Sequence, residues 1–427
     1  MKKIDIFFIN YKTTDFSPII HTSEQSVVIK LNVYKLSNLE LLKQMYKIND
    51  FIQIYDQIKR INLIFSKNIS SFNANKILTK LNDLLYRYYP ITKQIKIYQV
   101  NNESVTLMDE ISKYKDIVMD PNKNPETYLK FVLDNIPSSY NVTVKKLTDD
   151  GIFPLTRAVG MGSNYDSYFV HIKPKTINSN NKDIFLIGKA VTYDAGGLNI
   201  KTSSMEEMKI DMTGSALILS VLKLLSVNNF DSNLNIHLLL PIVENMVSSK
   251  SIKPGSVVKT MSGKRVEIVN TDAEGRLCIA DCLDWINQKL ITNPNNSLII
   301  DIATLTGNTM QITSGISSIL MANKSAVKYA DLLITIGEEI GEYLDNLKIR
   351  DEYFEMLKSQ VADIKNLNSE VKAGCIIGGS FISYFTNNKV PWLHVDLGVA
   401  TFVNSTPLSY GINLLYIFLK LVNNKKY

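Results

Sequence analysis

Apolar and polar positions alternate in two different ways along the 427-residue chain. Beyond residue 182, short apolar runs are separated by longer apolar segments that have the spacing of helices. The short runs predict strands at Ile184–Ile187, Leu234–Leu240, Leu298–Ile302 and Leu393–Leu397. The longer segments predict helices at Met212–Leu225, at Asp281–Leu290 as the continuation of a helix that begins near Glu274, and at Tyr410–Val422. This alternation predicts a mostly parallel mixed sheet flanked by helices.

The first 145 residues carry a separate pattern with its own short elements. It predicts strands and helices at Lys3–Ile9, Asn38–Tyr46, Ile61–Phe65, Asn73–Tyr88, Asn102–Met119 and Pro125–Leu133, of which Lys3–Ile9 and Ile61–Phe65 are the strands. The composition becomes polar near Pro137–Lys146, which is typical of a connection between domains. We therefore predict an α/β protein with a smaller N-terminal α/β domain over residues 1–145, serving structure or assembly, and a larger domain over residues 146–427.

Composition and charge argue against several classes of protein. The chain is 45% hydrophobic and 21% charged, which is ordinary for a globular protein. Its formal net charge is +6, and it contains no run of five or more Lys or Arg residues. We therefore expect neither a nucleic-acid partner nor binding to an anionic membrane.

Cysteines and apolar segments indicate the compartment. Cys278, Cys282 and Cys375 are too few for a disulfide framework and lack the spacing of a zinc site, so we expect them to be small apolar fillers. The N-terminal apolar run Ile6–Ile9 is too short for a signal peptide, and no stretch reaches the roughly 18 apolar residues of a membrane span. These features predict a cytoplasmic protein.

The segment Val269–Leu277 carries the most unusual charge pattern. Asp272, Glu274 and Arg276 occupy alternate positions between apolar flanks. If the segment is extended, the three side chains project to one side. Partly buried carboxylates need a compensating cation, and a divalent metal ion suits them. The alternative is an exposed acidic turn in which Arg276 forms an ordinary ion pair.

A second group of charged residues follows the strand predicted at Ile184–Ile187. Lys189 and Asp194 bracket the end of that strand, Lys201 follows, and Asp211 precedes the apolar helix. A paired lysine and a helix N-cap aspartate are the plain alternatives for these positions. Side chains that follow strands meet at one edge of a sheet. Four carboxylates there would hold two divalent ions, an arrangement used for hydrolysis.

The octapeptide Asn270–Leu277 resembles the signature of the leucine (cytosol) aminopeptidase family. Further similar segments occur in order within residues 150–405. They are GKAVTYDAGG at 188–197, NIK at 199–201, MKIDM at 208–212, ENM at 244–246, MSG at 261–263, DIATLTG at 301–307 and WLHVD at 392–396. The N-terminal domain shows no comparable similarity.

The resemblance implies a metalloenzyme with two sites for Zn²⁺ or Mn²⁺. It assigns the tighter site to Lys189, Asp194, Asp211 and Glu274. It assigns the more exchangeable site to Asp194, Asp272 and Glu274. A water activated by the two ions would attack the peptide carbonyl.

The resemblance also implies the catalytic and binding residues. Lys201 and Arg276 would be catalytic, with a bicarbonate at Arg276 acting as general base. The substrate would be a peptide with a free N-terminus and a Leu-like first residue, and the assembly a homohexamer. The residues implied to contact substrate are Asp211, Met208, Asn270, Thr304, Leu305 and Gly307.

Two other functions are compatible with parts of this pattern. A metal-dependent phosphoester hydrolase also uses metal pairs bound by carboxylates, but a lysine ligand and an amine-facing Asp211 argue against it. A structural or DNA-binding role is the second alternative, and the absence of a basic cluster argues against it. Among the four histidines, His394 is the one we expect to hydrogen-bond behind the metal ligands.

Overall fold

The protein is described here from a computed structural model. The structure describes residues 2–9, 19–22, 26–32, 43, 58–65, 76–81, 83, 94–98 and 102–424, except residues 229, 231, 399, 404 and 405. The chain folds as two compact units, Met1–Lys113 and Tyr114–Tyr427. The predicted helix Asn38–Tyr46 and much of the predicted helix Asn73–Tyr88 lie outside the described residues, although 76–81 are helical.

The first unit contains a five-stranded sheet. Its strands are β1 (Lys2–Ile9), β2 (Ile19–Thr22), β3 (Ser26–Asn32), β4 (Ile58–Phe65) and β5 (Gln94–Tyr98). Their order is β2-β3-β1-β4-β5, and all neighbours are parallel except β2 and β3. The strands predicted at Lys3–Ile9 and Ile61–Phe65 are confirmed as β1 and part of β4.

The second unit is built around a larger mixed sheet. The remaining strands of the chain are β6 (Tyr140–Lys146), β7 (Tyr168–Pro174), β8 (Lys182–Gly188), β9 (Ala190–Asp194), β10 (Leu234–Asn245), β11 (Ser256–Lys259), β12 (Arg265–Ile268), β13 (Ser297–Ala303), β14 (Ser317–Ala322), β15 (Tyr343–Asn346), β16 (Ile364–Lys365), β17 (Trp392–Asp396), β18 (Phe402–Val403) and β19 (Thr406–Pro407). The nine-stranded sheet has the order β15-β14-β17-β13-β8-β10-β7-β6, and β9 also pairs with β10. Two small sheets, β11-β12-β16 and β18-β19, complete the described strands.

The central strands of this sheet are parallel and the outer pairings are partly antiparallel. β17, β13, β8 and β10 run parallel, whereas β7 and β6 add antiparallel pairs at one side. β8, β10 and β13 are buried over most of their length, which explains why they read as continuous apolar runs in the sequence. The predicted mostly parallel mixed sheet is confirmed.

Helices cover both faces of the sheet. The described helices within residues 102–424 are α1 (Asn102–Met119), α2 (Pro125–Asp134), α3 (Pro154–Gly160), α4 (Thr213–Val227), α5 (Gly275–Trp285), α6 (Asn308–Thr313), α7 (Val327–Ile340), α8 (Asp351–Met356), α9 (Gly374–Ser383) and α10 (Ile412–Asn423). Phe185 and Ile187 pack in one core with α3, α5 and α9. Ile300 and Ile302 line a small cavity with α4, α7 and α10. Ile299 of β13 belongs to the first core, whereas its neighbour Ile300 faces the second group of helices, so alternate residues of the strand point to opposite faces of the sheet.

Two boundaries differ from the sequence-based expectation. The polar segment near Pro137–Lys146 is not a connection between domains, because it contains β6, the outermost strand, which is largely exposed. An edge strand with polar residues has the composition of a linker. The helix predicted to run through Asp281–Leu290 is α5, which ends at Trp285 and continues as a π-helical turn over Ile286–Leu290.

One helical segment of the described chain is long and apolar enough to cross a membrane, judged by its length and composition alone. It is Met205–Val227, which combines a 3-10 turn with α4. Its most apolar stretch is 78% buried inside the fold. A helix buried in this way is a core helix, since its apolar side chains already contact the sheet and neighbouring helices.

Candidate active site

Charged side chains from three segments meet at the carboxyl ends of the central strands. Lys189 lies between β8 and β9, where its N–H donates to the Ile302 carbonyl at 3.0 Å. Asp194 is the last residue of β9, and Asp211 follows the 3-10 turn Met205–Ile210, two residues before α4 begins. Glu274 directly precedes α5. The parallel strands place these positions at one edge, as the order of strands and helices predicts.

Lys189 bridges two of the carboxylates. Its Nζ lies 2.7 Å from Asp211 Oδ1 and 2.8 Å from Glu274 Oε1, and it donates to the Thr304 carbonyl at 2.9 Å. All three charged side chains are buried. Burial alone would lower the pKa of Lys189, but the charges of Asp211, Glu274 and Asp194 outweigh burial and raise it. The ammonium group therefore stays charged beside these acids.

Lys201 bridges the other two carboxylates. Its Nζ lies 2.8 Å from Asp194 Oδ2 and 2.5 Å from Asp272 Oδ1. Asp194, Asp272 and Glu274 each offer an oxygen, and these oxygens lie within 4.8 Å of one another. Such a cluster of oxygen ligands suits a divalent cation.

The carboxylates carry more negative charge than the two lysines can neutralise. Burial raises the pKa of Asp194 to about 7, and the nearby Glu274 adds to the increase. The pKa values of Asp211 and Asp272 are also raised, first by burial and then by Glu274 against the opposing lysines. For Glu274, Lys189 and Lys201 outweigh burial and lower the pKa. The acids thus resist joint ionisation, which is the condition that a bound cation relieves.

One buried oxygen of the cluster has no partner. Asp211 Oδ1 is held by Lys189 and accepts a hydrogen bond from Thr304 Oγ1 at 2.8 Å. Asp211 Oδ2 is buried without a hydrogen-bond partner. A buried, unsatisfied carboxylate oxygen is costly, so this atom indicates that the site is built to hold a further positive group.

The loop that holds Asp194 is fixed by backbone geometry and by Asn245. Asp194 Oδ1 accepts from Gly196 N at 2.9 Å and from Asn245 Nδ2 at 2.8 Å, which leaves Oδ2 facing Lys201. Gly196 has φ +88°, a left-handed conformation that favours glycine. Asn245 Nδ2 also donates to the Thr271 carbonyl at 3.0 Å, so it joins two of the acidic loops.

The octapeptide is a turn that leads into a helix, so the extended conformation considered from the sequence is not found, whereas the helix predicted to begin near Glu274 is confirmed as α5. Thr271 and Asp272 form the turn, and α5 starts at Gly275. Thr271 Oγ1 donates to the Gly196 carbonyl at 2.6 Å and ties the turn to the Asp194 loop. Gly275 passes so close to Lys189 that a Cβ there would lie 2.4 Å from Lys189 Cε. Asp272 and Glu274 converge because the chain turns tightly here, and not because alternate strand residues share a face.

Arg276 lies in the first turn of α5 with 3% of its surface exposed. Its Nη1 donates to the Asn366 carbonyl at 2.9 Å, whereas its buried Nε has no partner. Burial lowers the pKa of Arg276 to about 10 against the attraction of Glu274 and Asp396, so it remains charged at neutral pH. In the described part of the chain no carboxylate lies within ion-pair distance of Arg276, which leaves it able to bind an anion.

An open cleft of about 540 Å³ lies over these side chains. Every residue predicted for the site lines this cleft. They are Lys189, Asp194, Lys201, Met208, Asp211, Asn270, Asp272, Glu274, Arg276, Thr304, Leu305 and Gly307. The cleft also contains residues that the sequence did not single out, among them Ile200, Ile210 and Leu367.

Two supporting residues were missed by the sequence-based interpretation. Asp396, at the end of β17, accepts from Leu305 N at 3.0 Å and Thr306 N at 3.3 Å, so it holds the loop that follows β13. Asn366 contacts the octapeptide loop from more than ninety residues away. Asp396 stands in one of the similar segments and carries a signal, whereas nothing in the local sequence distinguishes Asn366.

His394 does not hydrogen-bond to any of the predicted metal ligands. Its Nδ1 is paired with Asp301, whose other oxygen accepts from Trp392 Nε1 at 2.7 Å. His171 and His237 form a second buried pair, with Nε2 and Nδ1 3.1 Å apart. These histidines are packed in the sheet, as the lack of ligand spacing predicts for His171 and His237.

Comparison with known proteins identifies the family. The model of the cytosol aminopeptidase family, catalytic domain, matches residues 113–412. A protein named "Probable cytosol aminopeptidase" from Rickettsia typhi is 34% identical over 355 residues, which cover 78% of this chain and 69% of that protein. The chain belongs to the cytosol aminopeptidase family. A relative of the same name from Vesicomyosocius okutanii is 38% identical over 248 residues, 58% of this chain and 50% of its own length.

Solved structures support the same fold. The bottromycin maturation enzyme BotP, solved in complex with Mn, has a TM-score of 0.83 and covers 98% of this chain and 99% of its own. A second structure of BotP has a TM-score of 0.81. Both are 19% identical in sequence, so they show the shared fold. Membership of the cytosol aminopeptidase family implies a metal-dependent exopeptidase, a hydrolase that acts on peptides.

Proposed function

We propose that this family member is a leucyl-type aminopeptidase that uses two divalent metal ions. The observation that carries the proposal is the meeting of four carboxylates and two lysines at one buried edge of the sheet, directly under an open cleft. The surplus of acidic groups and the unpartnered Asp211 Oδ2 support a site for cations. The cleft leaves room for a peptide end to reach them.

The proposed ligands divide into two overlapping sets. Lys189, Asp194, Asp211 and Glu274 would hold the tighter ion, and Asp194, Asp272 and Glu274 the more exchangeable one. Lys189 would bind as a neutral amine, because an ion at this position would displace the proton that the surrounding carboxylates otherwise keep on it. Oxygen-rich sites of this kind accept Mn²⁺ or Zn²⁺, and the structurally similar BotP, solved in complex with Mn, favours Mn²⁺. When bound, two such ions polarise a carbonyl and lower the pKa of a water.

The remaining charged groups have distinct proposed roles in the reaction. Lys201, whose side chain is 17% exposed at the cleft, would donate a hydrogen bond to the oxyanion that develops on the substrate carbonyl. Asp211 Oδ2 would accept the substrate's free ammonium group, which explains a requirement for an unblocked N-terminus. Arg276 donates to the Asn366 carbonyl but has no carboxylate partner, so its guanidinium would hold bicarbonate. The bicarbonate would accept the proton of the attacking water.

The cleft walls support the proposed substrate preference. Thr304, Leu305 and Gly307 line one part of the cleft and would contact the peptide backbone, while Met208 and Asn270 line the part proposed for the first side chain. Met208 and the neighbouring Ile210 provide apolar surface for a Leu-like residue. We further propose a cytoplasmic homohexamer, in which the N-terminal unit, Met1–Lys113, serves structure or assembly.

The test is hydrolysis of a panel of aminoacyl amides by gel-filtered protein of measured mass. The apoprotein is assayed with Mn²⁺, with Zn²⁺ and with chelator, and an aryl phosphate is measured beside leucine anilide. We expect metal-dependent release of leucine, little release from N-acetyl-leucine anilide and no phosphate. Equal activity with chelator, or hydrolysis of the phosphate alone, would overturn the proposal.

A further inference from the structure

Asn366 is a fully buried residue placed against the octapeptide loop. It follows β16, which pairs with β12, and its N–H donates to the Glu267 carbonyl at 2.9 Å. None of its surface is exposed. This backbone pairing delivers the side chain to the loop that begins after Ile268, where Asp272 and Glu274 follow.

The Asn366 side chain uses both ends of its amide on that loop. Its Oδ1 accepts from Val269 N at 2.8 Å and from Asn270 N at 3.2 Å. Its Nδ2 donates to the Asn270 carbonyl at 2.7 Å and to the Ala273 carbonyl at 3.3 Å. One side chain thus satisfies the backbone on both sides of the turn that contains Asp272, a segment that has left the sheet and would otherwise hold unpaired polar groups.

The backbone of the same residue holds Arg276. Arg276 Nη1 donates to the Asn366 carbonyl at 2.9 Å, and this is the protein acceptor that the structure gives the guanidinium. The next residue, Leu367, lines the cleft. Asn366 therefore ties three parts of the site to one point: the acidic turn, the guanidinium and the cleft wall.

We propose that Asn366 is a positioning residue for catalysis, which sets Arg276 in register with the turn carrying Asp272 and Glu274. The inference rests on the proposed aminopeptidase function and assigns Asn366 no contact with substrate. Its effect is transmitted through the guanidinium, because any movement of the Asn366 backbone moves the carbonyl that orients Arg276.

Asparagine is the side chain whose length and chemistry match this position. An aspartate would keep the acceptor but would place a carboxylate against the Asn270 and Ala273 carbonyls. A leucine would leave two N–H groups and two carbonyls of the turn without partners, which costs stability as well as geometry. The position therefore requires a donor and an acceptor on one short, planar group.

The test separates positioning from simple stabilisation. Asn366→Ala is compared with Asn235→Ala as a matched control. Asn235 is also buried, and its Nδ2 donates to the Asn178 carbonyl at 2.9 Å and to Asp183 Oδ1 at 2.8 Å. It lies at the start of β10, whereas the site lies at the opposite end of that strand, near Asn245. Unfolding midpoint, bound metal, kcat and KM are measured for both. We expect similar shifts in midpoint, but a loss in kcat of about 10- to 100-fold for Asn366→Ala alone, with KM within about threefold.

A double-mutant cycle with Arg276→Ala gives the deciding readout. If Asn366 acts through Arg276, then adding Asn366→Ala to Arg276→Ala lowers kcat by less than about threefold. Asn366→Ser, which keeps one hydroxyl donor and acceptor, should lose less activity than Asn366→Ala and serves if the alanine variant fails to fold. Multiplicative losses in the cycle, or a kcat for both Asn366 variants within twofold of the unaltered protein, would overturn the inference. Lack of aminopeptidase activity in the unaltered protein would instead overturn the proposed function.

Discussion

Buried carboxylates lie in two places at this sheet, Asp301 within β13 and the acidic cluster in the loops beyond the strand ends, and the two places differ in how the negative charge is balanced. Asp301 on β13 lies opposite His394 on β17, accepts from it and from Trp392 Nε1, and all three residues are fully buried. β13 and β17 end two residues after Asp301 and His394, and the loops that follow frame the acidic cluster around Glu274. There, four carboxylates share two lysines and one oxygen of Asp211 has no partner.

The difference teaches which buried charges serve structure and which serve chemistry. The Asp301 group satisfies both of its oxygens within the protein and raises the pKa of His394 against the effect of burial. Both oxygens of this carboxylate are paired within the protein, although His394 Nε2 is buried without a hydrogen-bond partner. In the Glu274 group, Asp211 Oδ2 has no hydrogen-bond partner, and the group opens onto a cleft of about 540 Å³. Changes in the first group should therefore cost stability, and changes in the second should cost metal and turnover.

The largest effect is expected for Glu274→Gln. This change removes a carboxylate shared by both proposed ion sites, so we expect the loss of bound Mn²⁺ and of peptide hydrolysis, and loss of any rise in unfolding temperature on adding Mn²⁺. Bound metal is measured after dialysis, beside Glu267→Gln on β12, whose side chain accepts from Ser359 Oγ at 2.6 Å. Full metal content in Glu274→Gln would remove it from the ligand set.

Lys201→Met should lower turnover and spare metal. Loss of one donor to a developing oxyanion costs about 100- to 1,000-fold in kcat, while the carboxylates that would hold the ions remain. Steady-state kinetics and metal content are compared with those of Lys182→Met, at the opposite end of the strand that leads to Lys189. An unchanged kcat in Lys201→Met would refute its catalytic role.

Asp301→Asn should lower the stability of the protein and leave turnover and metal binding intact. It breaks a buried ion pair and leaves His394 without its charged partner, so we expect a loss of about 3 kcal/mol in the free energy of unfolding. Bound Mn²⁺ and kcat should stay near those of the unaltered protein below the unfolding transition. Urea denaturation and kinetics at one temperature check both parts, and a stable variant that has lost its metal would invert the comparison.

The smallest effect concerns His171 and His237, a buried pair without any carboxylate. Burial lowers the pKa of His171 to about 4 and, with the added charge of its neighbour, that of His237 to about 3. The unfolded chain takes up protons below about pH 6.5 that the folded pair does not, so stability falls as the pH drops from 6.5 toward 4.

Replacing both histidines by phenylalanine should flatten that fall by about 1–2 kcal/mol at pH 6 relative to pH 7. Urea denaturation of the apoproteins at both pH values provides the measurement. Because the carboxylates titrate in both proteins, the difference between the two curves isolates the histidines. An identical pH dependence would show that the pair does not stay neutral in the folded chain.

The sequence was sufficient for the central strands and for the charged residues of the candidate site. β8, β10 and β13 read as apolar runs because both of their faces are buried. Charged residues directly after such strands are unusual, and the order of strands and helices brings them to one edge. The family assignment then rests on short segments whose spacing survives in this chain.

The parts that escaped prediction depend on contacts between distant residues. The tight turn within the octapeptide was not predicted, because its conformation depends on Asn366 and on the link from Thr271 to Gly196, neither of which is visible in local sequence. The segment 137–146 suggested a linker because an exposed edge strand has the same polar composition. The pattern of apolar residues along the sequence indicates which segments are buried, whereas the conformation of turns and edge strands depends on contacts with distant residues.

The central claim, that this edge of the sheet holds a pair of divalent ions, is tested most directly by counting them. Metal-free protein is dialysed against Mn²⁺ and the ions bound per chain are determined by elemental analysis, beside Asp194→Ala. We predict two ions per chain in the unaltered protein and fewer than one in the variant, because Asp194 belongs to both proposed ligand sets. No bound Mn²⁺, or equal binding by the two proteins, would contradict the account.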